Sequence, residues 1–137
     1  MKYYYTEKQY KELLSNMVIQ IDKREQQNTH ITDWFDKNGI QHMNKSFESG
    51  DYGFIIKKCD DLGFIKDTHF IDELFLERKA NLDELANNLK GEAFINEIKR
   101  TKNIEHKYII IENGSWEDIL AHNYQSQYNE KAFYNTL

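Results

Sequence analysis

The chain has 137 residues, of which 39% are hydrophobic, 14% aromatic and 30% charged. That is one domain's worth of sequence, long enough to bury roughly two-thirds of its unfolded surface. It contains no apolar run of about 18 residues that would span a membrane, and its one cysteine, Cys59, excludes an internal disulfide and a cysteine-cluster zinc site.

The opening residues, Met1-Lys2-Tyr3-Tyr4-Tyr5-Thr6-Glu7, lack the apolar block of a signal peptide. A reducing cytoplasm is the expected compartment. The chain carries 18 basic and 23 acidic residues, a net charge of −5, which argues against nucleic acid as a partner at first sight. Four of those acids, Asp22, Asp51, Glu77 and Asp83, are candidates for a metal site, and setting them aside leaves a nearly neutral remainder. The acidity therefore does not exclude DNA. It predicts weak, salt-sensitive binding by this domain alone.

In chain order, Thr6 and Gln9 form a capping-box pattern, and Tyr10, Leu13, Leu14 and Met17 recur at helical spacing. Residues 1–16 are thus expected to form an N-terminal helical extension. Met17 to Asp22 predicts a buried strand, ending in Asp22-Lys23-Arg24-Glu25. Ile31, Trp34 and Phe35 stripe the next helix, which Gly39 stops. Ile40 to Phe47 predicts a second strand and Tyr52 to Ile56 a third. Lys57 to Thr68 reads as a long polar hairpin connection with Gly63 at its bend. Phe70 to Leu76 predicts a fourth strand, running into Glu77-Arg78-Lys79. Asn81 is placed to cap a helix with Leu82, Leu85 and Leu89 on one face; Gly91 breaks it, and a further helix ends in the basic segment Lys99-Arg100-Thr101-Lys102. His106 to Glu112 predicts a fifth strand with the continuous apolar centre of a sheet covered on both faces. Ser115 with Asp118, and later Asn129, mark two short closing helices. Strands interleaved with helices, without repeats or low-complexity linkers, predict one α/β domain over 1–137.

The chemistry concentrates between Gly50 and Asp83. On a strand, Glu77 and Lys79 share a face and Arg78 takes the other. With Asp51 on a neighbouring strand, two acids and an ammonium would converge. Carboxylates about 4 Å apart repel by roughly 4 kcal/mol at an effective dielectric near 20, so a fold that gathers them implies a cation or a shared proton. Oxygen-only ligands select Mg²⁺ or Mn²⁺, which polarises a phosphate and activates a water. Taken alone, acid, a gap, then acid-x-Lys is a pattern chance supplies easily: Asp51 as a turn residue and Glu77–Lys79 as an edge ion pair.

The larger pattern is more specific. Asp22-x-Arg24-Glu25 after an apolar strand, Gly50-Asp51-Tyr52, and Glu77-Arg78-Lys79 with Asp83 four residues beyond resemble, in order, the nuclease domain of the XPF family of structure-specific DNA endonucleases. The likeness runs from about Val18 to Ile111. It implies a restriction-endonuclease-like fold, a mixed central β-sheet flanked by helices. It implies Asp51 and Glu77 as principal metal ligands, Lys79 as the catalytic lysine and Asp22 as a further acid at the metal. Arg24, Glu25, Arg78 and Asp83 would be supporting residues. It further implies Mg²⁺- or Mn²⁺-dependent cleavage of branched, flap or junction DNA in repair, recombination or replication. Such a prokaryotic or phage-encoded protein would be cytoplasmic and nucleoid-associated, and homodimerisation is a family habit.

Two features depart from the family. Ala93 stands before Phe94 where an Arg is usual, and the connection from Tyr52 to Glu77 is long. The short last helix suggests a shortened C-terminal end or a compact relative of the kind phages and mobile elements carry. Lys99, Arg100 and Lys102 are candidate DNA-backbone contacts, with a solvated helix end as the plain alternative. Trp34, Phe35 and Phe94 are expected in the core, Cys59 as an incidental thiol in a polar loop, and the five histidines show no metal-ligand spacing. Tyr3-Tyr4-Tyr5 is either an interface patch or packing against the sheet. The competing class of function is a non-catalytic DNA-binding or dimerisation partner with a nuclease-like fold.

Overall fold

The computed structural model describes residues 4–137; Tyr3, the first of the three tyrosines, lies outside them. Among the described residues there are six helices and six strands, and the chain divides into two compact units, Met1–Phe75 and Leu76–Leu137.

The first unit is built on a mixed sheet. α1 (Glu7–Ser15) starts at the predicted capping box: the Thr6 side chain accepts from the Gln9 amide and the Gln9 side chain returns to the Thr6 amide. β1 (Met17–Asp22) pairs in parallel with β2 (His42–Lys45) and antiparallel with β3 (Tyr52–Ile56), placing Gln20 opposite Gly53 and Ile21 opposite Tyr52. The parallel pair is joined through α2 (Thr29–Lys37), as a parallel connection requires a crossover. β2 is shorter than the predicted 40–47, because Phe47 leaves the ladder and buries its ring. Trp34, expected in the core, is instead 56% exposed on α2, edge-on to Phe35.

The connection after β3 is the hairpin with Gly63 at its bend that the sequence predicts, and it carries a small core besides. Cys59 and Phe64 bridge across a 3₁₀ turn at Asp60–Leu62, and Gly63 sits at φ 89°, where glycine is favoured. Ile56, Leu62 and Phe64 bury there, with Tyr5, Leu13 and Cys59 packed against them, so the thiol belongs to a small core. Tyr5 also donates its hydroxyl to the Leu62 carbonyl at 3.0 Å, whereas Tyr4 is 91% exposed. β4 (Thr68–His69), too short to leave a sequence pattern, adds to β3. The strand expected from Phe70 begins only at Leu74, since the amides of Glu73 and Leu74 both turn back to the Phe70 carbonyl.

The division between the units falls inside β5 (Leu74–Asn81). In the second unit β5 and β6 (His106–Asn113) are hydrogen-bonded neighbours. α3 (Leu82–Lys90) begins at Asn81, whose side chain accepts from the Glu84 amide, and α4 (Glu92–Arg100) follows Gly91. α5 (Trp116–Leu120) is capped by Ser115 and α6 (Glu130–Thr136) by Asn129. Leu82, Leu85, Ala86, Phe94, Ile119 and Phe133 form the core of this unit, with Ile109 and Ile111 packed on it. β6 buries one face only. Ile109 and Ile111 turn inward while Tyr108 and Ile110 stay about half exposed, so the expectation of a strand covered on both faces is corrected.

Candidate active site

β1 delivers Asp22 to its end with the side chain only 3% exposed. One carboxylate oxygen accepts the Phe47 amide at 2.9 Å, and the other accepts the Arg24 Nε at 2.7 Å. The Arg24 Nη2 then donates to the Phe47 carbonyl at 2.9 Å, closing a ring of three residues. Burial pushes the Asp22 carboxyl up, but the Phe47 amide and the Arg24 guanidinium together outweigh it, so the group titrates below the ordinary carboxylate range and is ionised at neutral pH.

The same strand end captures the Gly50-Asp51-Tyr52 segment. Gly50 adopts φ 83°, and the Asp22 amide donates to the Asp51 carbonyl at 2.8 Å. Tyr52 donates its hydroxyl to Glu25 at 3.3 Å and receives the Asn28 amide at 3.4 Å. Within the first unit, then, Asp22, Arg24, Glu25 and Asp51 form one connected group. Beside it lies a polar cleft of about 420 Å³, lined in part by Asp22, Glu25, Asn28 and the Asp36–His42 pair.

In the second unit the alternation of β5 holds. Glu77 and Lys79 are buried, 7% and 4% exposed, while Arg78 faces the other way. Lys79 Nζ donates to Glu77 at 2.6 Å and to Asn88 of α3 at 2.8 Å, and stands 4.8 Å from the centre of the Phe94 ring. An aromatic face favours a nearby cation. Arg78 makes a two-pronged pair with Glu112 of β6, at 2.9 and 3.2 Å. Asp83, in the first turn of α3, accepts the backbone amides of Gln125 and Ser126 at 2.8 and 2.6 Å and so pins the loop before α6. Lys99, Arg100 and Lys102 are exposed at the end of α4.

Asn88 escaped the sequence reading. Its signal was a polar residue three positions after buried Leu85, on the inward stripe of α3.

The chain matches the ERCC4 domain over residues 21–137. It belongs to the ERCC4 domain family. This is the XPF-type nuclease domain, and the mixed α/β architecture agrees with a restriction-endonuclease-like fold. Membership makes the ERCC4 domain described above a nuclease-like, DNA-processing domain of the repair class, with DNA as its partner. No curated protein matches the chain. Among the described residues, no helix of this ERCC4 domain is long and apolar enough to cross a membrane. Among the same residues, no three His, Cys, Asp or Glu side chains stand together as a ready cage for an ion.

Proposed function

We propose that the protein is a Mg²⁺- or Mn²⁺-dependent endonuclease that hydrolyses phosphodiester bonds in branched, flap or junction DNA. The observation that carries this reading is the buried Glu77–Lys79 pair on one face of β5, with Asn88 of α3 bonded to the lysine. A lysine and a glutamate almost fully removed from water in a DNA-processing domain are expensive to maintain for packing alone, since apolar residues of similar volume usually serve stability as well or better.

The donor set suits a hard cation. Asp51, Glu77 and Asp22 offer only oxygen, and Mg²⁺ is commonly held by one or two carboxylates with water and substrate phosphate completing its shell. Asp51 and Glu77 would be the principal ligands. Asp22 already engages both oxygens with Phe47 and Arg24, so its share in the site is to fix the Asp51 segment as well as to add negative charge. When bound, the cation would supply charge neutralisation at the phosphate and a more acidic water.

Lys79 commits two of its three N–H groups to Glu77 and Asn88. Its third suits a phosphate oxygen or the attacking water, held there as a fixed point charge. Asn88 and the Phe94 ring orient the ammonium. Arg78, paired with Glu112, secures the opposite face of the strand. Lys99, Arg100 and Lys102 would track the DNA backbone in a salt-dependent way.

The test is cleavage of labelled flap, fork and four-way-junction DNA with Mg²⁺ or Mn²⁺, beside Asp51→Ala and Lys79→Ala. Wild-type cutting of branched but not linear duplex, lost by at least about a hundredfold in both variants, is expected. Equal activity in all three proteins refutes the assignment of Asp51 and Lys79, and equal inertness favours a non-catalytic DNA-binding partner.

A further inference from the structure

Gln20 is 1% exposed, and neither its Oε1 nor its Nε2 has a hydrogen-bond partner among the described residues. The great majority of buried side-chain amides are paired, so an amide with both ends idle calls for a missing partner. Its position says where that partner belongs. Along β1, Gln20 and Asp22 are two residues apart and share a face of the strand. Across the ladder Gln20 stands opposite Gly53, and residues directly opposite share a face. Two residues before Gly53 is Asp51, tied by its carbonyl to the Asp22 amide. Gln20, Asp22, Gly53 and Asp51 are therefore four corners of one patch.

Gly53 contributes no side chain to that patch. A Cβ there would come within 3.3 Å of the Phe47 ring, so the corner beside Gln20 is kept small. The diagonal from Gln20 to Asp51 spans about 7–8 Å between backbones, within the reach of long side chains. A carboxylate offers acceptors only, and a glutamine amide supplies the donor that could orient one while keeping an acceptor for water.

We infer that Gln20 is a positioning residue for the acidic end of β1 and β3: when a divalent cation is held there, Nε2 donates to the Asp51 carboxylate and Oε1 accepts from a water beside it. This rests on the metal-dependent reading above.

Titration of the full chain with MnCl₂, followed by thermal melting and calorimetry, tests this with no reference to cleavage. Wild type should melt higher as Mn²⁺ is added. Gln20→Met keeps the length of the side chain and removes the amide. It should melt at or above wild type without Mn²⁺, and bind Mn²⁺ about tenfold or more weakly, as loss of a partner that orients a ligand usually does. Gln20→Asn retains the amide but withdraws it by one methylene, and a folded Asn variant should also bind more weakly than wild type. If wild type responds to Mn²⁺ and both variants bind it equally well, the role of Gln20 is overturned and the metal reading stands. A wild type that ignores Mn²⁺ overturns both.

Discussion

Replacing Lys79 with methionine removes one charge from a buried pair while nearly preserving volume. Glu77, buried, would then lose a 2.6 Å partner, and the half-buried Asn88 a donor at 2.8 Å. Breaking a buried ion pair from one side typically costs about 3–5 kcal/mol, because the remaining charge stays desolvated while losing its compensating cation. The small exposure of both residues, 4% and 7%, places this pair in that regime, not among surface bridges worth under about 1 kcal/mol. For a chain of this size, such a loss lowers the melting temperature by on the order of 10–20 °C. Glu77→Leu combined with Lys79→Met removes both charges and should recover most of that loss, since a pair replaced by apolar residues is often neutral. Urea unfolding followed by circular dichroism at pH ~7 gives the double-mutant cycle, with coupling above about 2 kcal/mol expected. If Lys79→Met costs less than about 0.5 kcal/mol, or the two changes are additive, the pair is not energetically coupled. The argument from its burial would then fail.

Asp22→Asn should cost about 1.5–3 kcal/mol at neutral pH, because the amide places a donor where Arg24 needs an acceptor. The carboxyl titrates below its ordinary value in the folded state, so its contribution is complete above the unfolded value near 3.8 and is lost as pH falls through the lower folded value. Urea melts at pH ~7 and below pH ~3 should therefore show the wild-type advantage shrinking in acid, and an advantage that grows in acid would reverse the sign of the argument. Gly114→Ala meets two obstacles: φ of 153°, and a Cβ that would fall 2.5 Å from the Leu82 Cγ. It should destabilise by about 1–3 kcal/mol or more in thermal or urea melts, with a neutral result excluding that contact.

Local signals made much of this protein readable. Thr6 with Gln9, Asn81, Ser115 with Asp118, and Asn129 each cap the helix their spacing implies, because capping is decided within four residues. The split of Glu77 and Lys79 from Arg78 follows from the two-residue period of a strand, and the Arg78–Glu112 pair gives the outward residue its task. What stayed hidden depends on partners far away in sequence. Asn88 looks like one more polar residue on a helix until Lys79 reaches it. Gln20 looks like an interruption of an apolar strand, and nothing local says that its amide is left idle. The apolar run of β6 was misleading because hydrophobicity does not reveal whether a second face is covered, and Tyr108 and Ile110 are left outside. Segment 57–68 shows its bend at Gly63 in the sequence but hides its core, because only three apolar residues, Leu62, Phe64 and Ile65, interrupt its polar composition; two of them form a core with Ile56, while Ile65 remains 76% exposed.

That small core alters how the chain should be trimmed. The family match begins at residue 21, which invites a shortened protein starting there. Such a cut would remove Met17 to Gln20, most of the strand that both β2 and β3 pair with. It would also strip Tyr5 and Leu13 from Ile56, Leu62 and Phe64, leaving wet apolar surface beside an unpaired strand edge, a combination that favours self-association. Tyr5 and Leu13, ahead of the family match, cover part of a core within it, so a protein that keeps residues 5–20 should fold better than one trimmed to residue 21.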